Sequence, residues 1–474
     1  MKLFGTRTLP GLLGITILAF AIGCSPNADT RQVSGDITVR VPWAAEGGVY
    51  SLQEILLQGI SSLYELSGQF VTFYASPSVQ GSKITGRAPK TRFLKSGNVW
   101  VPQDTMTQQM TVIYAHMQRL AALDEKMGAG TVNTWPRDVG VAVRYSAHGS
   151  VMNNNAFYDG LTDSILIVPY TDEHLPIPVN AGILGHEHFH SLYFKLVEKN
   201  VFKMRLANHG EDVRSEVLGS AIVGKDEIRA ASKIVTKSDS EIYHSQFSGA
   251  INEGLADFWA WIYTGDADFL ASSLPSEKAS RSLHGQSVPT IFMTAYEYDY
   301  RLKFGSQDRD IKKKCGGDRV KYCLGTDFAI LLKSFSGVVA ESRVIDPIEA
   351  RAIIARAVIK ALPVLSTELE GRRTYDADKK EWIWSESFFE PVKFFAMVQN
   401  ALENAQEPEK VFVQAIINKT LERAKKLPDP GKDPNSNVSS PDDAPSPTPE
   451  PTATPTPKPT PWEAPPVMAI RGPK

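Results

Sequence analysis

The strongest constraint on this chain is the pentapeptide His-Glu-His-Phe-His at residues 186–190. On an α-helix, positions four apart lie on one face, so His186 and His190 are expected to point toward a common centre. Glu187 is displaced by about 100° around the helix axis, which places it beside that centre. His188 is expected to point away from it. Apolar residues flank the segment on both sides, which favours a helix packed in a core.

Two imidazoles at this spacing with a glutamate after the first are typical of a catalytic zinc helix. In such a helix the histidines bind the ion and the glutamate acts as general base on a metal-bound water. The sequence therefore predicts His186 and His190 as zinc ligands and Glu187 as the base. On the pentapeptide alone, a histidine-rich surface helix remains the alternative.

A second segment, SGAINEGLADF at residues 248–258, offers a third ligand. It has helical spacing, and Glu253 and Asp257 lie four positions apart on one face. A carboxylate from Glu253 would complete a three-ligand site with an open fourth position, which is the catalytic rather than the structural arrangement. Asp257 is predicted to accept the N–H of a ligating imidazole and so fix its tautomer.

The first residues have the features of an export signal. Lys2 and Arg7 precede an apolar run at residues 12–22, which is short for a membrane span and suited to a signal-peptide core. The run ends in Ala21-Ile22-Gly23-Cys24, which resembles the lipobox of bacterial lipoproteins. This resemblance implies cleavage before Cys24, a lipid on its thiol and a location at the cell envelope. An ordinary signal peptide is the alternative.

Composition restricts the class of partner. The 474 residues carry a formal net charge of -2, without a basic block or stripe, so a nucleic-acid partner is not expected. About 42% of the residues are apolar, enough for a sizeable core. Cys315 and Cys323 bracket a polar stretch and could form a disulfide in an exported protein, or remain two free thiols. Residues 427–474 are rich in Pro and Thr and are predicted to be a disordered tail.

Hydrophobic periodicity predicts both helices and strands. Between Asp104 and Gly128, apolar residues recur every three or four positions, which predicts a helix. The other predictions are strands at 37–41, 141–145 and 165–168, and helices at 52–66, 350–362 and 390–405.

Three segments together resemble the thermolysin-like family of zinc metallopeptidases, in the order of that family. Residues 154–160, NNAFYDG, are similar to its substrate-binding edge strand. Residues 185–190, GHEHFH, are similar to its zinc helix, and residues 248–257 to its third-ligand helix. The resemblance implies an endopeptidase that uses one zinc ion and cleaves peptide or protein substrates.

The resemblance also implies roles for residues outside the zinc ligands. A family member binds the substrate main chain as an added strand and stabilises the tetrahedral oxyanion with a Tyr and a His. A lone Tyr or His is as often structural. The Asn-rich segment at 153–155 could likewise be a polar turn without a binding role. The residues implied are Asn155, Ala156 and Arg281 for the substrate, and Tyr243 and His284 for the oxyanion.

The implied fold is α+β and zincin-like, with a β-containing N-terminal lobe, a mainly helical C-terminal lobe and the zinc cleft between them. Residues 1–23 would be the signal peptide, 24–35 a tether and 105–426 the catalytic domain. Residues 36–104 would be an N-terminal extension or the start of that domain.

This chain departs from the family pattern in several spacings. Residues 191–252, between the second and third ligands, form a much longer stretch than in the family, and the segment from Glu253 to His284 is shorter. Nothing in the sequence supports a calcium site, although the resemblance leaves one open. Two rival functions remain: a zinc aminopeptidase-like exopeptidase, and an inactive zincin-fold lipoprotein that binds a partner as a scaffold.

Overall fold

The computed structural model of this chain has a mixed α+β fold, which confirms the α+β class predicted from the sequence. None of its described helices is both long and apolar enough to cross a membrane. The signal peptide, Cys24, Cys315 and the tail at 427–474 lie outside the described part, as does the side chain of Cys323. The residues described are 30–80, 82–144, 146–147, 150–201, 239–285, 320–377, 381–384, 389–390 and 392–424.

The strands occupy mainly the first half of the described chain. They are β1 (Gly35–Ala44), β2 (Tyr50–Ser62), β3 (Ser67–Gly68), β4 (Val71–Gln80), β5 (Lys83–Arg87), β6 (Phe93–Ser96), β7 (Val99–Pro102), β8 (Arg137–Val141), β9 (Ser146–Ala147), β10 (Ser150–Val151), β11 (Ala156–Asp159), β12 (Ser164–Ile167), β13 (Arg373–Asp376) and β14 (Glu381–Trp384).

The helices dominate the second half. They are α1 (Thr105–Met127), α2 (Ala181–Tyr193), α3 (Asp239–Thr264), α4 (Lys278–Arg281), α5 (Val320–Arg343), α6 (Pro347–Glu370), α7 (Lys393–Ala401) and α8 (Glu407–Ala424), with 3₁₀ turns at Ile177–Val179 and Pro275–Glu277 and a π-helical turn at Phe194–Glu198.

Two larger sheets are present among the described residues, each with five strands. The first has the order β3-β2-β1-β7-β6, and β1 pairs antiparallel with β2 along nearly its whole length. The second has the order β11-β12-β8-β4-β5, with β12, β8 and β4 parallel. Strand β11 therefore stands at one edge of the second sheet, where one row of its backbone groups is not used by a neighbouring strand.

Residues 36–104 share one hydrophobic core with the chain that follows them. Strand β4 pairs with β8, and buried Val39 of β1 belongs to the same cluster as Ile113 of α1 and Leu184 of α2. Helix α1 begins at the cap Asp104, whose side chain accepts from the Thr107 N–H, and ends at Gly128 in the left-handed conformation. The predicted helix in this region is confirmed.

Helices α3 and α5 to α7 surround a second core, in which Trp259 and Phe335 are fully buried. The predicted helix at 350–362 is confirmed within α6, and the one at 390–405 is shortened to α7. Strand β12 confirms the strand predicted at 165–168.

Two secondary-structure predictions are wrong. Residues 52–66 have helical spacing, yet most of them form β2, because pairing with β1 satisfies their backbone and buries Leu57 and Ile60. The strand predicted at 141–145 lies earlier, at β8, and ends at Val141. Its pairing with β4 and β12 decides where it ends.

Candidate metal centre

Helix α2 begins at a well-defined cap. Asn180 accepts hydrogen bonds from the N–H groups of Gly182 and Ile183 at 3.0 and 3.2 Å. Its amide nitrogen donates to Phe269 O at 2.8 Å and to Ser273 Oγ at 2.9 Å. The cap therefore fixes both the start of the helix and its position against the segment that follows α3.

Helix α3 carries the predicted third ligand, and α5 crosses it closely at that point. A Cβ on Gly254 would collide with the carbonyl oxygen of Gly325, so only glycine permits this approach. The close crossing brings Lys321 of α5 beside Glu253 of α3, with its Nζ 3.4 Å from Glu253 Oε1.

Three potential ligand atoms converge between α2 and α3. His186 Nε2 and His190 Nε2 are 3.0 Å apart, and Glu253 Oε2 lies 3.4 Å from the first and 4.0 Å from the second. Ligands at 2.0–2.1 Å from a tetrahedral zinc ion would be separated by about 3.3 Å. The Glu187 carboxylate lies with the two histidines in a cluster whose ligand atoms are within 4.8 Å of one another.

The protons of the two imidazoles can be assigned from their partners. His190 Nδ1 lies 2.8 Å from the side-chain oxygen Oδ1 of Asn252, and His186 Nδ1 lies 2.9 Å from Asp257 Oδ1, although the latter contact is poorly directed for a hydrogen bond. Both partners only accept, so each neutral ring carries its proton on Nδ1. The Nε2 lone pairs then face each other and the Glu253 carboxylate, an arrangement that either a proton or a metal ion between them would stabilise. The donor set fits a zinc ion.

The groups around the centre shift the pKa values of the two histidines in opposite directions. Burial opposes the charged form of His186, but Asp257 and Glu253 raise its pKa to about 9. Burial and the neighbouring His186 lower the pKa of His190 to about 4. Burial alone would raise the pKa of Glu253, but Lys321 and His186 hold it well below its usual value. The centre thus attracts one positive charge, which either a proton on His186 or a metal ion can supply.

Glu187 is buried and held by the edge strand. The backbone N–H of Tyr158 in β11 donates to Glu187 Oε2 at 3.0 Å, and none of the described residues donates to Oε1. Burial raises the pKa of this carboxyl to about 7. A carboxylate with one fixed and one available oxygen, and a pKa near neutrality, is suited to accept and release a proton.

The orientation of β11 follows from this contact. Successive residues of a strand point their backbone groups to opposite sides, and Asn155 O accepts from Val168 N on the β12 side. The backbone groups of Ala156 and Tyr158 therefore lie on the Glu187 side. The Asn155 side-chain oxygen accepts from the Ala156 N–H at 2.9 Å. The Asn155 amide nitrogen and the Ala156 carbonyl oxygen then remain on the Glu187 side to pair with an added strand.

Arg281 lies against the carboxylates that support the centre. Its Nε is 3.1 Å from Asp257 Oδ2 and its NH2 group is 2.5 Å from Asp257 Oδ1 and 3.5 Å from Glu253 Oε2. The structure thus places Arg281 on the proposed partner of His186. Its bidentate contact fixes Asp257 in a buried position where an unpaired carboxylate would be costly.

Tyr322 is a residue of this neighbourhood that the sequence did not indicate. Its ring lies 4.8 Å from Arg281 Cζ and 4.7 Å from Lys321 Nζ. The charge of Glu253 and burial raise the pKa of Tyr322, so the phenol keeps its proton. Tyr322 and Lys321 come from α5, and no local motif marks them; only the close pairing of Gly254 with Gly325 brings them here.

His188 points to the opposite side of α2, as expected. Its Nε2 lies 2.9 Å from Asp124 Oδ2 of α1, and both residues are almost fully buried. A second ion-pair cluster lies near the same side: Asp163 contacts Arg137 at 2.9 Å and Lys195 at 2.7 Å, and it accepts from the Tyr158 hydroxyl at 2.9 Å. This cluster joins β11 to the segment after α2.

Of the two residues predicted to bind the oxyanion, only the side chain of His284 is described. His284 is 68% exposed, and its Nε2 is 4.0 Å from Asp268 Oδ2. Tyr243 lies in α3, but its side chain falls outside the description.

No protein-family model matches this chain, and no curated protein matches it.

Proposed function

We propose that this protein is a zinc-dependent metalloendopeptidase, anchored by a lipid at Cys24 to the cell envelope after export. The observation that carries the proposal is the convergence of His186 Nε2, His190 Nε2 and Glu253 Oε2 at tetrahedral ligand spacing. The buried carboxylate of Glu187 beside these atoms adds a base, for which a purely structural metal site has no use.

The β-containing part and the helical part would be two lobes with the substrate cleft between them. A peptide would lie along β11 as an added strand, donating a main-chain N–H to the Ala156 carbonyl and accepting from the Asn155 amide. The position of β11 at the edge of the sheet formed by the described residues, and its contact with Glu187, support this placement.

A zinc ion held by the three ligands would polarise the scissile carbonyl and acidify a water. Glu187 accepts the proton of the attacking water at Oε1 and releases it to the leaving amine, while Tyr158 N–H holds Oε2. A protonated phenol or imidazole then donates to the developing oxyanion, with Tyr322, Tyr243 and His284 as the candidates. Arg281 holds Asp257 and thereby the ring of His186.

The test is hydrolysis of casein and of an internally quenched peptide by the full chain purified without chelator. We expect hydrolysis that a chelator abolishes and stoichiometric Zn²⁺ restores. N-blocked peptides are expected to be cleaved as well as free ones, whereas cleavage of free peptides alone would favour an aminopeptidase. Binding of zinc without hydrolysis of any peptide would favour the scaffold alternative.

A further inference from the structure

Glu198 is a buried carboxylate that the proposed reaction does not use. It closes the π-helical turn Phe194–Glu198 that directly follows α2, and it is only 5% exposed. Burying a carboxyl group is unfavourable unless it is hydrogen-bonded, so its position calls for a physical explanation.

The π-turn determines the direction of Glu198. In an uninterrupted α-helix, the residue eight positions after His190 would lie about 80° around the axis from it. A π-turn takes up one additional residue, which turns later positions back by about 100° and returns Glu198 to within about 20° of the direction of His190. The irregular turn therefore aims Glu198 along the metal-facing side of α2.

The partner of Glu198 on that side is Asn252 of α3. The Asn252 amide nitrogen donates to Glu198 Oε1 at 3.4 Å, while its carbonyl oxygen lies 2.8 Å from His190 Nδ1. An amide has one donor end and one acceptor end, so an acceptor at Glu198 directs the carbonyl toward His190. That carbonyl keeps the His190 proton on Nδ1 and leaves the Nε2 lone pair for the ion.

We propose that Glu198 is a positioning residue of the metal centre, which acts through the Asn252 amide to orient the ring of His190. This inference rests on the proposed zinc site. Burial raises the pKa of Glu198 to about 8, and in either protonation state an oxygen without a proton can accept from Asn252. The contact thus depends on the π-turn, because in a regular helix the Glu198 carboxylate would point away from Asn252.

The test measures metal binding rather than hydrolysis. The full-length protein is stripped of metal and titrated with Zn²⁺ against a chromogenic chelator, and with Co²⁺ while its visible absorption is recorded. We expect Glu198→Met to raise the Zn²⁺ dissociation constant by about 10–100-fold and to change the Co²⁺ spectrum, because the loss of a ligand's orienting partner typically has this effect. Glu198→Gln keeps an acceptor oxygen and is expected to stay close to wild type.

Asn252→Ala removes the same link from the other end and leaves the π-turn intact. If Glu198 acts through Asn252, the double variant Glu198→Met/Asn252→Ala loses no more affinity than the weaker-binding single variant. Glu409→Met, which removes a buried carboxylate paired with Arg343 away from the centre, is the matched control and should bind zinc normally.

The outcomes separate the inference from the function on which it rests. Zinc affinity close to wild type in Asn252→Ala, or independent losses in the two single variants, would overturn the role of Glu198. Asn252→Ala gives this answer even if Glu198→Met does not fold. A wild-type protein that binds no zinc would instead overturn the proposed metalloendopeptidase.

Discussion

The backbone N–H of Tyr158 donates to Glu187 Oε2 at 3.0 Å, which joins the edge strand β11 to α2, the helix of the two proposed histidine ligands. The backbone of β11 would therefore have two roles: it would pair with a substrate strand and it holds Glu187, the proposed base. A substrate bound in this way would be aligned with Glu187. The contact also fixes one carboxylate oxygen and leaves the other for a water.

Replacement of Glu187 by Gln should greatly slow hydrolysis and leave the metal bound. The Gln carbonyl oxygen can still accept from Tyr158 N–H, so the local geometry is kept while the base is lost. We expect kcat to fall by about 10²–10⁴-fold, with zinc content measured by atomic absorption unchanged. Turnover close to wild type would refute the assignment of Glu187.

The two histidines on opposite faces of α2 should respond differently to substitution. His190→Ala removes a proposed ligand and is expected to abolish zinc binding. His188→Gln should retain stoichiometric zinc and lower the free energy of unfolding by about 1–2 kcal/mol, because it weakens the buried contact with Asp124. Zinc content and urea unfolding of both variants give the comparison, and zinc retained by His190→Ala would contradict the ligand assignment.

Substitution of Asp257 should weaken zinc binding without touching a ligand. Asp257→Asn removes the charge that faces His186 Nδ1 and leaves Arg281 without its bidentate partner. We expect the zinc dissociation constant to rise by about 10–100-fold. Asp268→Asn is the control, since Asp268 contacts Lys278 and Ser282 instead of a ligand. An equal effect of both substitutions would show that Asp257 has no special role.

The sequence could predict those residues of the centre whose relative positions are set within a single helix. His186, Glu187 and His190 lie on one helix, and their spacing fixes their relative directions. Glu253 and Asp257 are likewise one turn apart. The structure brings these two groups together as the motifs indicated.

Residues that depend on the packing of distant segments could not be predicted. Tyr322 and Lys321 reach the centre because α5 crosses α3 at two glycines. Glu198 does so through a π-turn, which no spacing rule anticipates. The helical spacing of residues 52–66 was misleading for the same reason, because pairing with β1 outweighs local preference.

Acidification should remove the stabilisation provided by Asp163. Burial alone would raise the pKa of this carboxyl, but Arg137 and Lys195 hold it below its usual value of 3.8. The unfolded chain thus takes up the proton at higher pH than the folded chain does. The contribution of Asp163 is complete well above pH 3.8 and is lost as the pH falls through the lower, folded-state pKa.

The measurement is urea unfolding of wild type and Asp163→Asn at several pH values. We expect the variant to be less stable by about 1–2 kcal/mol at pH 7, with the difference shrinking below pH 3.8. Other carboxylates affect both proteins equally, so the difference isolates this group. Glu54→Gln, which breaks the exposed pair with Arg40, should change stability by less than about 0.5 kcal/mol. A difference that does not depend on pH would contradict the ion-pair explanation.

The donor to the oxyanion can be identified by comparing Tyr322→Phe with His284→Gln. The Tyr322 ring contacts Arg281 and Lys321, which both lie within 3.5 Å of Glu253, and its phenol is protonated, whereas His284 is largely exposed. We therefore expect Tyr322→Phe to lower kcat by about 10²-fold or more without changing zinc affinity, and His284→Gln to have a smaller effect. Tyr375→Phe, at an exposed position of β13, is the control for loss of a hydroxyl. A loss of kcat in His284→Gln alone would instead assign the oxyanion to the histidine that the family resemblance implies, and would require that residue to approach the centre when substrate binds.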